Sequence, residues 1–451
     1  MKKTLAVRRG FSEEAFEGLI AGQDEPEWMR ARRRQAWRVW SDTPRPTRHD
    51  EPWRRTDLKL LNLEQSTSVQ LAPPPAQALR QSPPSWKKAA RSGTVSGGLL
   101  HVDGAPALSW LEPDLAARGV IVADMRTALR EHADLVEAYF MTRIVRPGDG
   151  YFAALHGAFW RSGVFVYIPS GVQVPLPLLN GTWLSQADSA LPHTLVVVET
   201  GARVALIDEF GSSGAAGDGL ALNVGSVEIL LGPGAQLDYV QVQNWGPNVL
   251  NFSSERAIVG RDATLNWVAG HLGSRLTKTF LDARLDESGA RALLSGVYFA
   301  DGEQHLDLDT EQNHVWAHTS SDLLYKGALK GSARTVWQGM IRVAPGAQRT
   351  DAYQANRNLL LSERARADSI PGLEIEADDV RCTHGSTVGQ LDPEELFYLM
   401  SRGIPRPAAE QLVINGFFAP VLDRIPLKSV REQLQSIIAR KAVMENVKRE
   451  T

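Results

Sequence analysis

Apolar and polar residues alternate in short runs through the middle of the chain, from about Tyr151 to Leu373. The clearest runs are 164–168, 195–198, 227–231 and 237–240. Alternation with a period of two is typical of a half-buried β-strand, and short runs separated by turn residues indicate an all-β region. Proline is scarce inside the runs, as expected of strands that pair with neighbours.

A short turn motif recurs in front of several predicted strands. A turn-forming residue and an alanine are followed by a strand that begins polar at 201–204, 234–237, 262–265, 289–292 and 346–349. The first three intervals are 33, 28 and 27 residues. Such an imperfect repeat is expected of strands that wind in coils with loops of unequal length. The pattern alone is compatible with an all-β solenoid and with a sandwich.

Both ends of the chain show helical periodicity instead. The spacing predicts helices over Phe11–Trp40 and Asp124–Phe140, and the prolines at 73–75 and 83–84 predict a surface linker. We therefore divide the chain into an N-terminal helical region with a proline-rich linker (1–150), a β core (151–390) and a C-terminal helical domain (391–451).

Three helices are predicted in the C-terminal domain. Asp392 is a suitable N-cap before Pro393, and Gly403 ends this first helix. The next two helices are predicted over 407–415 and 428–449. Their apolar residues either pack on the β core or dock a partner, and these are Leu396, Phe397, Leu399, Met400, Phe417 and Phe418.

Composition excludes several classes of protein. The 451 residues carry 49 Lys+Arg against 52 Asp+Glu, a net charge of −3, which argues against a dedicated nucleic-acid binder. The dipeptide Gly-Lys is absent, so the chain has no P-loop for nucleotide hydrolysis. No apolar stretch reaches the ~20 residues of a membrane span. The first residues show no apolar run of the kind that a signal peptide contains. The single cysteine suits a reducing compartment. We expect a cytoplasmic protein without a membrane partner.

The single cysteine, Cys382, stands two residues before His384. In a strand, both side chains project from the same face and offer a thiolate and an imidazole to iron or zinc. An iron–sulfur cluster normally takes four protein ligands, so the pair is at most half of a site. The alternative is a buried structural cysteine beside a surface histidine.

A second group of candidate ligands lies upstream. His305, His314 and His318 surround Asp307 and Asp309, and two histidines with one carboxylate are the ligands of many metal-dependent enzymes. This group keeps open the alternative of a metal-dependent or carbohydrate-active β-helix enzyme.

The segment from Ile375 to Phe417 resembles the C-terminal signature of the SufB/SufD family of iron–sulfur cluster assembly proteins, in its SufD form. The matching stretches are 382–385, 389–392, 396–399, 401–404 and 415–417, with further likeness at 25–28, 163–169, 323–327, 339–343 and 358–361.

The resemblance implies a mainly β fold, with a right-handed parallel β-helix core flanked by N-terminal and C-terminal α-helical regions. It implies a non-catalytic scaffold that pairs with SufB through the β-helix, binds the SufC ATPase through its C-terminal helices, and forms a homodimer when alone. No cofactor is expected to be bound permanently. His384 first and Cys382 second would hold iron or a transient cluster shared with SufB. The cysteine expected in SufB near Ser362–Asp368 is missing, so sulfur would be received on the partner.

Overall fold

The computed structural model describes residues 7–69, 72–213 and 219–443. The helices are α1 (Glu13–Gly22), α2 (Glu27–Asp42), α3 (Pro75–Gln81), α4 (Pro84–Ala89), α5 (Pro113–Ala117), α6 (Met125–Glu131), α7 (Ala133–Tyr139), α8 (Tyr151–Phe159), α9 (Pro393–Ser401), α10 (Arg406–Leu422) and α11 (Lys428–Val443), with 3₁₀ turns at Glu51–Trp53 and Pro147–Asp149.

The strands are β1 (Arg8–Arg9), β2 (Thr67–Val69), β3 (Gly97–Val102), β4 (Ala105–Leu111), β5 (Ile121–Asp124), β6 (Ser162–Ile168), β7 (Leu178–Leu184), β8 (Ser189–Ala190), β9 (Pro192–Val198), β10 (Arg203–Ser212), β11 (Ala221–Leu231), β12 (Gln236–Asn244), β13 (Val249–Val259), β14 (Thr264–His271), β15 (Leu276–Leu285), β16 (Arg291–Ala300), β17 (His305–His314), β18 (Ser320–Leu329), β19 (Arg334–Val343), β20 (Asp351–Leu360), β21 (Arg366–Ile375) and β22 (Arg381–Gln390).

Successive strands of the core alternate between two large sheets. The first sheet has the order β22-β20-β18-β16-β14-β12-β10-β7-β3-β4, and the second has β21-β19-β17-β15-β13-β11-β9-β6-β5, with β8 beside β11. From β6 onward, neighbouring strands in both sheets are parallel. The chain therefore winds as a parallel β-solenoid of about eight turns, flanked by helices at both ends, and the predicted fold class is confirmed.

The recurring turn motif forms one corner of the solenoid. Gly201, Gly234, Asp262 and Gly289 have positive φ values of 66°, 67°, 55° and 77°, a backbone conformation that glycine and aspartate tolerate better than most residues. The alanine after each of them is fully buried, and the strands that follow are β10, β12, β14 and β16, all in the first sheet. The sequence repeat is thus the corner through which each coil enters that sheet.

The N-terminal region differs from its prediction in three places. The helix predicted over Asp124–Phe140 is two short helices, α6 and α7, because the backbone at His132 is not helical. The helix predicted over Phe11–Trp40 is two helices, α1 and α2, because the chain is extended at Pro26, where α2 begins. The proline stretches do not form a bare linker, because Pro75 and Pro84 each open a short helix. Strands β3 and β5 from this region join the two large sheets. The boundaries at 150 and 390 remain predictions.

The C-terminal helices pack on the outer face of the first sheet. Helix α9 begins as predicted, with the Asp392 side chain accepting from the Glu394 backbone N–H. Helix α10 continues past its predicted end at Asn415, because Phe418 and other apolar residues beyond that point are buried against the sheet. Helix α11 is held by Lys441, whose Nζ lies 2.5 Å from Asp301 Oδ1. The end predicted for this helix, Arg449, lies outside the described residues.

Candidate functional site

The two ends of the solenoid are finished differently. At the N-terminal end, the antiparallel strands β4 and β5 close the two sheets. At the other end, β21 and β22 are the last strands, and within the described residues each pairs on one side only. Their side chains are mostly exposed, including the apolar residues Leu373, Ile375 and Val388. Unpaired strand edges with apolar side chains are open to pairing with another chain. We call this surface, formed by β21 and β22, the open end.

Cys382 and His384 lie together at the open end. Strand β22 pairs in register with β20, so Cys382 lies beside Ala352 and His384 beside Gln354. Ala352 and Gln354 are buried, and paired residues of parallel strands share a face of the sheet. The thiol and the imidazole therefore follow the inward-facing side chains of the preceding coil, as the sequence spacing predicted for residues on one face.

The two side chains differ in environment. His384 is exposed, whereas Cys382 is half-buried against a small apolar cluster that includes Ile341 and Val343. Burial, and then the charge of Asp351, raise the pKa of the Cys382 thiol. The free thiol is therefore mostly protonated at neutral pH, and a bound metal ion would favour its thiolate form.

The open end offers two candidate metal ligands, Cys382 and His384. In residues 7–69, 72–213 and 219–443, no three His, Cys, Asp or Glu side chains come together in an arrangement that could bind a metal ion. Cys382 and His384 thus offer two ligands without a third of these types. That the pair forms half of a metal site stays a prediction.

The second candidate group does not assemble. Asp307 and Asp309 are held by Lys278, whose Nζ lies 3.0 Å and 2.9 Å from their carboxylates. His305 Nε2 lies 3.0 Å from Thr56 Oγ1. His314 is buried, with its two ring nitrogens 2.7 Å and 2.8 Å from the hydroxyls of Thr319 and Ser321.

His318 lies in a turn, with a φ of 59°. The hypothesis of a metal-binding group at 305–318 is wrong. Ion pairs and hydroxyl contacts already engage most of its side chains, and no three His, Cys, Asp or Glu side chains of the described residues assemble there.

The six predicted docking residues divide into three pairs by their exposure. Phe397 is 74% exposed and Met400 is also exposed, whereas Leu399 and Phe417 are half-buried. Leu396 and Phe418 are buried, and Phe418 is fully covered. The prediction that all six form a docking surface is therefore wrong for Leu396 and Phe418, which the rest of the chain covers. Phe418 packs in the apolar cluster between α10 and the first sheet.

Sequence reasoning missed a polar cluster inside the solenoid. Asp208, Gln241, Glu255 and His271 come from four different strands and are all buried. The only sequence signal is a polar residue within an otherwise apolar strand run, and this signal does not show which polar residues meet.

No described helix is long and apolar enough to cross a membrane.

The comparisons with known proteins agree with the geometry. Residues 182–417 match the family model described as "SUF system FeS cluster assembly, SufBD core domain", and residues 102–179 match "SufBD protein N-terminal region". The chain is 33% identical over 441 residues to the iron–sulfur cluster assembly protein SufD of Bacillus subtilis (strain 168), covering 97% of this chain and 99% of that protein.

Two further relatives match at lower identity. SufB of the same organism is 27% identical over 440 residues, covering 93% of this chain and 90% of SufB. A SufBD family protein of Staphylococcus haemolyticus (strain JCSC1435) is 27% identical over 434 residues, with the same coverage. The solenoid, its two terminal helical regions and these matches together place the chain in the SufB/SufD family of iron–sulfur cluster assembly proteins, with SufD-like character.

Proposed function

We propose that this chain is a non-catalytic scaffold subunit that pairs with a SufB-like partner through its open end and carries a SufC-like ATPase on its C-terminal helices. The observation that supports this best is the open end itself. Within the described part of the chain, both sheets end there with one unpaired edge, and the candidate ligand pair, Cys382 and His384, lies on the same surface.

The open end has the properties of an unfinished interface. Each of its two strands is ten residues long and has one edge of backbone N–H and C=O groups free for a further strand. Ion pairs tie both strands to their neighbours, with Arg342 Nη1 lying 2.5 Å from Glu374 Oε2 and Arg381 pairing with Asp351. These strands are therefore fixed in place before a partner arrives, which lowers the entropy cost of pairing.

The incomplete ligand pair gives the interface a chemical role. The partner would supply the remaining ligands, and iron or a nascent cluster would then sit between the chains as cargo. His384 is exposed and can ligate iron when neutral. Cys382 is the only thiol of this chain, so sulfur would arrive on the partner.

A separate surface supports the ATPase contact. Helices α9 and α10 expose Phe397, Tyr398, Met400 and Leu412. Beside them lies a groove of about 550 Å³, lined in part by Leu399, Leu412 and Phe417. Exposed aromatic and methionine side chains are enriched at protein interfaces. We call this surface, formed by the exposed residues of α9 and α10, the helical patch.

The first experiment measures iron and acid-labile sulfide in the complex after anaerobic co-expression with the two partners. His384→Ala should lower both several-fold while the complex remains assembled by size-exclusion chromatography. Cys382→Ala should have a milder effect. His49→Ala, an exposed histidine in the N-terminal region, is the matched control. Equal iron in wild type and His384→Ala would mean that this histidine does not ligate the cargo.

The second experiment tests the interface. Val388→Asp places a charge at the open end and should prevent co-purification of the SufB-like partner. Leu220→Asp is the control, because Leu220 and Val388 are both 46% exposed and only Val388 lies in β22. Pairing that survives Val388→Asp but not Leu220→Asp would refute the open-end interface. A homodimer of the isolated chain that is lost with Val388→Asp would show that the same edges pair two copies when the partner is absent.

A further inference from the structure

A small polar cavity lies inside the solenoid, between the two sheets and several coils before the open end. Its volume is about 20 Å³, which is room for a single water molecule or one monoatomic ion. Fourteen residues line it, and five of them carry the argument: Asn223 and Ser226 on β11, Gln241 on β12, Glu255 on β13 and His271 on β14.

Each of these five side chains has a buried polar atom with no hydrogen-bond partner among residues 7–69, 72–213 and 219–443. The atoms are Asn223 Oδ1, Ser226 Oγ, Gln241 Oε1, Glu255 Oε2 and His271 Nδ1. All five residues are at most 5% exposed.

Hydrogen bonds made by the other polar atoms of these side chains fix their orientation. The Gln241 amide nitrogen donates to Glu255 Oε1 at 2.9 Å, and the Asn223 amide nitrogen donates to Asn251 Oδ1 at 2.7 Å. The two amide oxygens are therefore left as acceptors. The Ser253 hydroxyl, which is close to the Glu255 carboxyl, donates to Thr279 at 3.0 Å. The cavity is thus lined mainly by oxygens that need a donor or a cation.

The interior also contains two carboxyl groups without a cationic partner. Burial raises the pKa of Glu255 to about 7 and that of Asp208 to about 6. Within the described residues, neutral side chains are the only hydrogen-bond donors to either carboxyl group. The donor to Glu255 is the Gln241 amide nitrogen, and the donors to Asp208 are Tyr239, Thr194 and Asn180.

Two other buried carboxylates of this protein, Glu25 and Asp307, are neutralised by a basic side chain. Glu25 Oε1 lies 2.6 Å from Arg33 Nη2, and Asp307 Oδ1 lies 3.0 Å from Lys278 Nζ. A buried carboxylate is costly unless it is paired or coordinates a metal. Among the described residues, Glu255 and Asp208 have no such partner, whereas the buried Glu228 accepts hydrogen bonds from the backbone N–H groups of Met141 and Val145.

We propose that this cavity binds one divalent first-row transition metal ion, held by Glu255 and His271 together with the neutral oxygens of Gln241, Asn223 and Ser226. An imidazole nitrogen suits zinc, iron or nickel better than calcium or magnesium. The ion charge would be balanced by Glu255 and the nearby Asp208. This site uses only two His or Glu ligands, and the rest of its donor set is amide and hydroxyl oxygen.

The competing arrangement is a protonated Glu255 with one buried water molecule. The two arrangements differ in stoichiometry and in proton release, because a metal ion requires the carboxylate form and displaces its proton. This proposal does not depend on the open end or on the proposed function.

The experiment is equilibrium dialysis of the EDTA-treated full chain against Mn²⁺, Zn²⁺ or, anaerobically, Fe²⁺, with metal measured by plasma mass spectrometry. The test variants are Glu255→Gln, which keeps the size of the side chain, and His271→Ala. The control Glu311→Gln alters a half-buried carboxylate on β17, which lies two strands from β13, the strand of Glu255, in the second sheet. The double variant Cys382→Ala/His384→Ala removes the ligand pair at the open end.

One tightly held ion per chain is expected in wild type, in Glu311→Gln and in the open-end double variant. Glu255→Gln should weaken its binding at least tenfold. The bound ion should also raise the Tm of wild type and leave the Tm of Glu255→Gln unchanged, since a ligand stabilises only the state that binds it. Stoichiometric binding that survives in Glu255→Gln and His271→Ala overturns the proposal, as does wild type without a bound ion. Loss of binding only in the open-end double variant would assign the ion to that pair and also overturn it.

Discussion

Phe397 and Phe418 offer a sharp test of how the C-terminal helices are used, because they are the same residue type in opposite environments. Phe397 is 74% exposed on α9, and Phe418 is fully buried on α10. The Phe418 ring packs edge-on against Phe417, with centroids 5.1 Å apart, in the apolar layer between α10 and the first sheet. We replace each of these two residues in turn by alanine.

The expected magnitudes differ widely. Truncating a fully buried phenylalanine costs about 3–5 kcal/mol, which combines lost burial with the cavity left behind. An exposed side chain away from any buried contact contributes within about 0.5 kcal/mol. Partner affinity should change more in Phe397→Ala than in Phe418→Ala. An exposed aromatic at an interface hot spot contributes about 2 kcal/mol or more, which is roughly a 30-fold change in Kd.

The stability assay must resolve local unfolding, because the helical layer can open while the solenoid stays folded. Native-state hydrogen exchange over 392–443 reports the free energy of that opening for each variant, and circular dichroism checks the β core. Partner affinity is measured by titrating the purified SufC-like ATPase against each variant.

We expect Phe418→Ala to lower the opening free energy by about 3–5 kcal/mol and Phe397→Ala to leave it nearly unchanged. Phe397→Ala should weaken ATPase binding, and Phe418→Leu, which keeps most of the buried volume, should leave it intact. Equal exchange in Phe418→Ala and Phe397→Ala would refute the packing argument. Unchanged ATPase affinity in Phe397→Ala would refute the docking role of the helical patch.

Two further predictions concern the core. Gly327→Ala should cost more than about 3 kcal/mol of unfolding free energy, because an added Cβ would overlap the Tyr298 ring. The added Cβ of Gly385→Ala meets nothing within 4 Å, so this control should leave the Tm unchanged. Similar Tm values for both variants would contradict this packing. In metal-free protein, Glu255 binds its proton more tightly in the folded state, with a pKa raised by burial from 4.5 to about 7, so wild type should lose stability as pH rises from about 4.5 to 7. Glu255→Gln removes that pH dependence, so its unfolding free energy, measured in urea, should exceed that of wild type by on the order of 3 kcal/mol at pH 8. Parallel profiles of unfolding free energy against pH for the two proteins would contradict this prediction.

Several features could be predicted from the sequence because they are local. The corner motif is visible because a positive φ favours glycine or aspartate, and Gly201, Gly234 and Asp262 mark successive coils. The strand runs are visible because side chains alternate with period two. The start of α9 is visible because Asp392 caps the helix through its own side chain. The family signature around Cys382 also needs no structure.

Other features were decided only by the tertiary structure. Helical periodicity showed that Phe397 and Phe418 belong to apolar faces, but only the docking of α10 on the first sheet determined which of them is covered. Likewise, Pro26 divides the predicted N-terminal helix at a point that the surrounding helical pattern concealed.

The interior cluster depends most on the tertiary fold. Asp208, Glu255 and His271 are far apart in sequence and meet because each coil of the solenoid places its strands directly over those of the previous coil. The open end arises in the same way, since Cys382 and His384 face the axis of a coil that has no successor within the described residues. Alternation along a strand specifies which residues share a face, whereas the stacking of coils determines which faces enclose a cavity and which are left for a partner.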